Sequence, residues 1–253
     1  MGTPRKIDPK TNRWHYGHST ITFNEDGIVI DYYNSKDKLK IKKNEEVKDS
    51  EVIENTEEIN YSEEIGKDTE QLDYITLGSS KEDVSRVMGV ASSIYDSNWS
   101  YEFSIIRFDI NGLVSGWNDI SDNLIVYIGD KIDGAEPFTI GSTKNEVIAA
   151  MGTPSSLYQN RWEYEYSSIT FDNDDLVSGW SDISKNLKNY IGDKVDGAQP
   201  FTIGSTKEQV IAAMGTPSSL NWNRWEYEYS SVTFDDDNLV SGWSNISGNL
   251  NVK

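Results

Sequence analysis

A unit of 63 residues is written three times in this chain, and that period constrains the fold more than any other feature. Residues 138–190 and 201–253 agree at 41 of 53 aligned positions, and residues 75–127 follow in the same register. Trp99, Trp162 and Trp225 mark the period, as do Phe108, Phe171 and Phe234, and Trp117, Trp180 and Trp243. A chain built this way repeats one supersecondary unit. Each copy is too short to bury much apolar surface alone, so neighbours are expected to share a core or join sheet edges.

The N-terminus carries the same template in shortened form. "MGTP" at residues 1–4 returns at 151–154 and 214–217, Trp14 precedes Phe23 by nine residues as Trp162 precedes Phe171, and Tyr32 stands where Trp180 would. Residues 1–43 therefore read as a partial repeat lacking its helix, in a chain that begins inside a repeat. Its aromatic face is expected to be exposed and its stability the lowest of the units. Residues 44–73 hold twelve acids and two lysines, a composition that suits a solvated, self-repelling linker. Complete repeats are expected over 74–136, 137–199 and 200–253.

Within a repeat, "GSTKNEVIAAMGTP" holds a helix signal. Thr143 with Glu146 forms a capping box, Ser80 with Asp83 and Thr206 with Gln209 match it, Gly152 closes the helix and Pro154 stops it. The alternation in "RWEYEY" predicts a strand with Trp162, Tyr164 and Tyr166 facing one way. Residues 169–171 and 176–180 supply two more strands, with "DNDD", "DDDN", "DING" and "NEDG" as turns. The expected class is α+β: tandem 63-residue repeats, each a short helix packed on a three-stranded antiparallel sheet. The spacers "GDKIDGAEP" and "GDKVDGAQP" read as short turns or extended links.

Chemistry is sparse. There is no cysteine, and the two histidines, His15 and His18, have no further ligands near them in sequence, so neither a cofactor nor a metal is expected. The acidic turns lack the glycine and closing glutamate of a calcium loop and suit tight hairpins instead. Lys144, Glu165 and Asp172 recur in all three copies without any spacing that brings them together, so no catalytic residue is assigned and the chain is read as a non-enzyme. The formal charge of −19 opposes binding to a nucleic-acid backbone, and no apolar run is long enough to span a membrane. The loops "SSIYDSNW", "SSLYQNRW" and "SSLNWNRW" vary between copies on a constant scaffold, which makes Tyr95, Tyr158, Gln159, Asn221 and Trp222 the candidate binding residues.

The stretch "FTIGSTKEQVIAAMGTPSSLNWNRWEYEYSSVTFDDDNLVSGW" resembles the small bacterial envelope modules of the SmpA/BamE type and the related β-lactamase inhibitory protein fold. The shared pattern is a capped short helix, Gly-x-Pro, Trp-x-Tyr and a Val-x-Phe hairpin. The resemblance implies scaffold roles for Gly152, Pro154, Trp162, Tyr164 and Phe171, and a secreted or envelope protein that binds other proteins without catalysis. The expected function is a non-enzymatic tandem-repeat binding protein of the bacterial envelope or cell surface, with a protein or envelope polymer as partner. A proteinaceous enzyme inhibitor is the alternative. Unlike BamE-type lipoproteins, this chain has tandem copies and no lipidated cysteine.

Overall fold

Three consecutive turn-bounded alternations per repeat commit the backbone to hairpins, and in the computed structural model those hairpins join into one sheet. The structure describes residues 4–8, 10–25, 27–35, 39 and 72–253. The strands are β1 (Lys6–Asp8), β2 (Arg13–Tyr16), β3 (Ser19–Phe23), β4 (Val29–Tyr33), β5 (Ser93–Tyr95), β6 (Asn98–Tyr101), β7 (Ser104–Phe108) and β8 (Val114–Asn118). They continue as β9 (Ser156–Tyr158), β10 (Arg161–Tyr164), β11 (Ser167–Phe171), β12 (Val177–Ser181), β13 (Ser219–Asn221), β14 (Arg224–Tyr227), β15 (Ser230–Phe234) and β16 (Val240–Ser244). Every strand pairs antiparallel with the next, giving a single 16-stranded meander.

This corrects the expected class. The protein is mostly β, with only three short helices, α1 (Lys81–Met88), α2 (Lys144–Met151) and α3 (Lys207–Met214), among the described residues. It is not a series of helix-on-three-strand α+β units. Each repeat has four strands, because residues 156–158 and their equivalents form a short strand rather than a loop. That strand pairs backwards with the preceding repeat, Trp117 opposite Leu157 and Trp180 opposite Leu220, and so fuses the copies into one sheet.

The register places one residue of every strand in a single cross-strand row. From β1 to β16 it reads Ile7, Trp14, Ile21, Tyr32, Ile94, Trp99, Ile106, Trp117, Leu157, Trp162, Ile169, Trp180, Leu220, Trp225, Val232 and Trp243. Aliphatic and aromatic side chains alternate across it, the kind of cross-strand pair that packs best on a pleated surface. A slip of one residue would turn the whole row to the other face, so the pattern fixes the pairing.

The three helices lie over the face that carries this row. All three capping boxes form as the sequence predicts: Ser80 with Asp83, Thr143 with Glu146, Thr206 with Gln209. Eight residues are too few for a helix to persist alone. Val147 and Ala150 of α2 are buried with Trp162, Ile169 and Trp180 in one core that runs through all three complete repeats. Tyr164 ties helix to sheet by donating its hydroxyl to the Gly152 carbonyl at the helix end (3.0 Å), as Tyr227 does to Gly215 (3.1 Å).

The spacers are also packed rather than free. Ile128 N–H donates to Thr153 Oγ1 and Ile132 N–H to the Ala149 carbonyl, so residues 128–132 run along the end of the following helix. Parallel bridges between Ile75 and Val126, Phe138 and Asn189, and Phe201 and Val252 close each repeat on itself. Among its described residues the N-terminal unit has strands and no helix, and its core is a separate small cluster of Ile21, Tyr32 and Leu39. The acidic stretch 44–73 lies, apart from its last two residues, outside the described residues.

Candidate functional site

Antiparallel connectivity sends alternate hairpins to opposite long sides of the sheet. The turns after β5, β9 and β13 fall on one side, together with the acidic turns after β7, β11 and β15. The turns after β6, β10 and β14 fall on the other.

All five sequence candidates sit on the first side. Tyr95, Tyr158 and Asn221 close their strands, while Gln159 and Trp222 occupy the turns themselves. Tyr95, Tyr158 and Trp222 are all exposed. They form no common pocket; they stand one repeat apart along the sheet edge. Tyr158 has the most structured surroundings: the Arg107 guanidinium lies over its ring at 4.9 Å, reaching across Gly116 of the intervening strand. Such a cation–aromatic contact fixes both groups on the surface. The corresponding residues one repeat later are Thr170, Gly179 and Asn221, and at the β4–β5 junction Thr22, Asp31 and Tyr95, so the Arg–Tyr pair belongs to the β8–β9 junction alone.

Beside each candidate turn lies an acidic hairpin whose carboxylate is already engaged. Asp172 Oδ1 accepts the backbone N–H of Asp174 (2.9 Å) and Leu176 (3.0 Å), and Asp109 and Asp235 repeat the arrangement. Asp175 and Asn238 take positive φ, as tight turns require. Among the described residues no three His, Asp or Glu side chains are grouped to hold a metal ion. The recurrent ionisable set is also split: Lys144 Nζ bonds Asp175 at 2.5 Å on this side, whereas Glu165 is in a turn on the other. Lys144 further lies over the Trp162 and Phe171 rings, and Lys207 over Trp225 and Phe234, where burial pushes the Lys207 ammonium below the usual lysine range.

The second long side holds residues that the sequence pattern misplaced. Tyr166, expected to continue the inward face of Trp162 and Tyr164, lies beyond the end of β10 in the turn and is 81% exposed. Its equivalents Phe103 and Tyr229 are 76% and 83% exposed. Beside them come Ile120, Ile183 and Ile246, all exposed, and Tyr229 and Ile246 line one shallow depression of about 320 Å³ with Arg224 and Glu226. The residue before each aromatic, Glu102, Glu165 or Glu228, is held at φ 56°, 57° or 58°. A side chain with a Cβ occupies that region at a cost of about 1–2 kcal/mol, and strain of this kind gathers at functional surfaces.

No protein-family description, curated protein or solved structure matches this chain. No helix among the described residues is long and apolar enough to cross a membrane.

Proposed function

We propose that this chain is a non-enzymatic tandem-repeat binding protein of the bacterial envelope or cell surface, which engages an extended protein or envelope polymer at one-repeat intervals along its sheet. The observation that carries this is the row of Phe103, Tyr166 and Tyr229. Large apolar side chains stand exposed at the same place in three successive units, each lifted by a strained glutamate. Scattered exposed hydrophobes are ordinary, but a row with the period of the scaffold matches a ligand that itself repeats. Weak contacts at each unit then add through effective concentration rather than through any one deep pocket.

Tyr95, Tyr158, Gln159, Asn221 and Trp222 on the opposite side vary between copies and supply selectivity in this scheme. The envelope setting rests on the resemblance of each repeat to SmpA/BamE-type modules.

The test is co-sedimentation with purified bacterial cell-wall sacculi, with and without their surface proteins. The parent chain is expected to pellet in a saturable way. Replacing Phe103, Tyr166 and Tyr229 together by serine should weaken that binding at least tenfold, and each single change should weaken it far less. No binding by the parent, or a triple variant that binds like the parent, would sink the proposal.

A further inference from the structure

Two junctions inside the molecule show what covers the last strand of a repeat. Trp117 and Trp180, buried in the cross-strand row, face Leu157 and Leu220 of the incoming strand, and their indole N–H groups donate to the carbonyls of Pro154 (3.1 Å) and Pro217 (3.2 Å). The residue before each tryptophan is Gly116 or Gly179. A Cβ there would lie 2.3 or 2.4 Å from the carbonyl oxygen of Leu157 or Leu220, so at these two junctions glycine lets the incoming backbone approach closely, while the β4–β5 junction, with Asp31 before Tyr32, forms the same pairing around a side chain.

Strand β16 presents the same receiving half without an occupant. Trp243 is only partly buried, and a Cβ on Gly242 would meet nothing but Thr233 Oγ1 at 3.2 Å. At the far end of the sheet, β1 presents the matching incoming half. Ile7 is its residue in the row, 48% exposed where Leu157 and Leu220 are buried, and Pro4 precedes Ile7 by three positions as Pro154 precedes Leu157. The alternation of aliphatic and aromatic residues would continue unbroken from Trp243 to Ile7.

We propose that β16 of one molecule receives β1 of a second copy of this chain. Trp243 pairs with Ile7, Ser244 with Lys6 and Gly242 with Asp8, and the Trp243 indole N–H donates to the Pro4 carbonyl. Open sheet edges are templates for such pairing. The contact joins two different surfaces, so repetition gives head-to-tail chains rather than a closed dimer. It lacks the spacer and helix contacts of the internal junctions and is correspondingly weaker. The charge of −19 per copy opposes it, so association strengthens with salt. This inference is independent of the proposed ligand.

Sedimentation velocity of the 253-residue chain, from about 1 to 200 µM at low and high salt, tests it. The expected result is a mass that rises with concentration and with salt. Ile7→Asp damages only the incoming half, and Gly242→Asp, which sets a second carboxylate opposite Asp8, damages only the receiving half, so each variant alone should be monomeric. Mixed in equal amounts, they should form a dimer and nothing longer, because the intact β16 of the first can receive the intact β1 of the second. That rescue also shows that neither variant is misfolded. A parent chain monomeric throughout, single variants that associate like the parent, or a mixture that stays monomeric would each overturn the proposal.

Discussion

The complete repeats and the N-terminal unit share strand order, register and aromatic pairs, yet among the described residues only the complete repeats carry a helix. Trp14 stacks against Phe23 with ring centroids 5.0 Å apart, almost as Trp162 stacks against Phe171 at 4.8 Å. Trp162 is buried, whereas Trp14 is partly open, and Ile28, Val29, Ile30 and Tyr33 of the same unit are exposed. The lesson is about which level of structure stabilises which. Hairpin pairing is specified locally and survives without the helix; burial is not, because a sheet face needs a second layer. The N-terminal unit instead leans on its neighbour, through pairing of Tyr32 and Tyr33 with β5 and a hydrogen bond from the Tyr32 hydroxyl to the Ala91 carbonyl.

The largest expected contrast between the two regions comes from removing the equivalent tryptophan in each. Trp162→Ala opens a cavity under α2 and should cost about 3–5 kcal/mol in denaturant unfolding. Trp14→Ala removes less buried area and should cost about 1–2 kcal/mol. Hydrogen exchange should show protection lost over β2–β4 alone in the second case. Equal costs at the two sites would mean that the helix contributes little to the core.

Alkaline pH should act chiefly on the helix-covered region. Burial raises the hydroxyls of Tyr101, Tyr164 and Tyr227 above the ordinary tyrosine value of 10.0, and each donates to a carbonyl at the end of its own helix. The unfolded chain therefore loses these protons first as pH rises. Their stabilisation is complete below pH 10.0 and declines above it, by roughly 1 kcal/mol per tyrosine for the first pH unit. Tyrosinate absorbance and loss of helical circular dichroism should rise together. A Tyr164→Phe, Tyr227→Phe double variant, somewhat less stable at neutral pH, should show a shallower alkaline decline.

A third contrast separates covered from uncovered junctions. Gly179→Ala forces a Cβ against the Leu220 carbonyl and should cost about 1–3 kcal/mol. Gly242→Ala meets only a side-chain oxygen and should leave the stability of the isolated molecule within about 0.5 kcal/mol. Equal effects on thermal midpoints would mean that the close approach at Gly179 can relax.

What the sequence revealed follows from how local each signal is. Capping boxes and acidic turns involve residues two to four positions apart, and the three boxes and the turns at Asp109, Asp172 and Asp235 form as read. Strand β9 was hidden because three residues cannot display an alternation and their partner lies in the previous repeat, Ser156 Oγ bonding the Trp117 carbonyl 39 positions away. Tyr166 was misplaced because "YEYSS" carries no glycine or asparagine to mark a turn. The N-terminal copy did hold the clue: "YGHS" aligns Gly17 with Glu165, and both adopt positive φ. His18, the counterpart of Tyr166, accordingly sits in a turn rather than in the strand with His15. The exposed row on that side could have been found by aligning all four units before assigning strands.

The smallest expected effect concerns the lysine that each helix places over the aromatic pair. Lys144 contributes in two separable ways: its stem covers Trp162 and Phe171, and its ammonium bonds Asp175 at 2.5 Å in a largely exposed pair. Exposed ion pairs contribute about 0.2–1 kcal/mol, whereas an apolar stem lying on ring faces excludes water whatever its charge. Lys144→Met keeps most of the stem and should cost less than about 0.5 kcal/mol, independent of salt. Lys144→Ala removes the cover and should cost about 1 kcal/mol. Among the described residues no helix lysine lies above Trp14 and Phe23, so the alanine variant brings Trp162 and Phe171 closer to the state of that pair. A methionine variant as destabilised as the alanine variant, with a loss that shrinks in high salt, would show that the charge and not the stem holds the helix to the sheet.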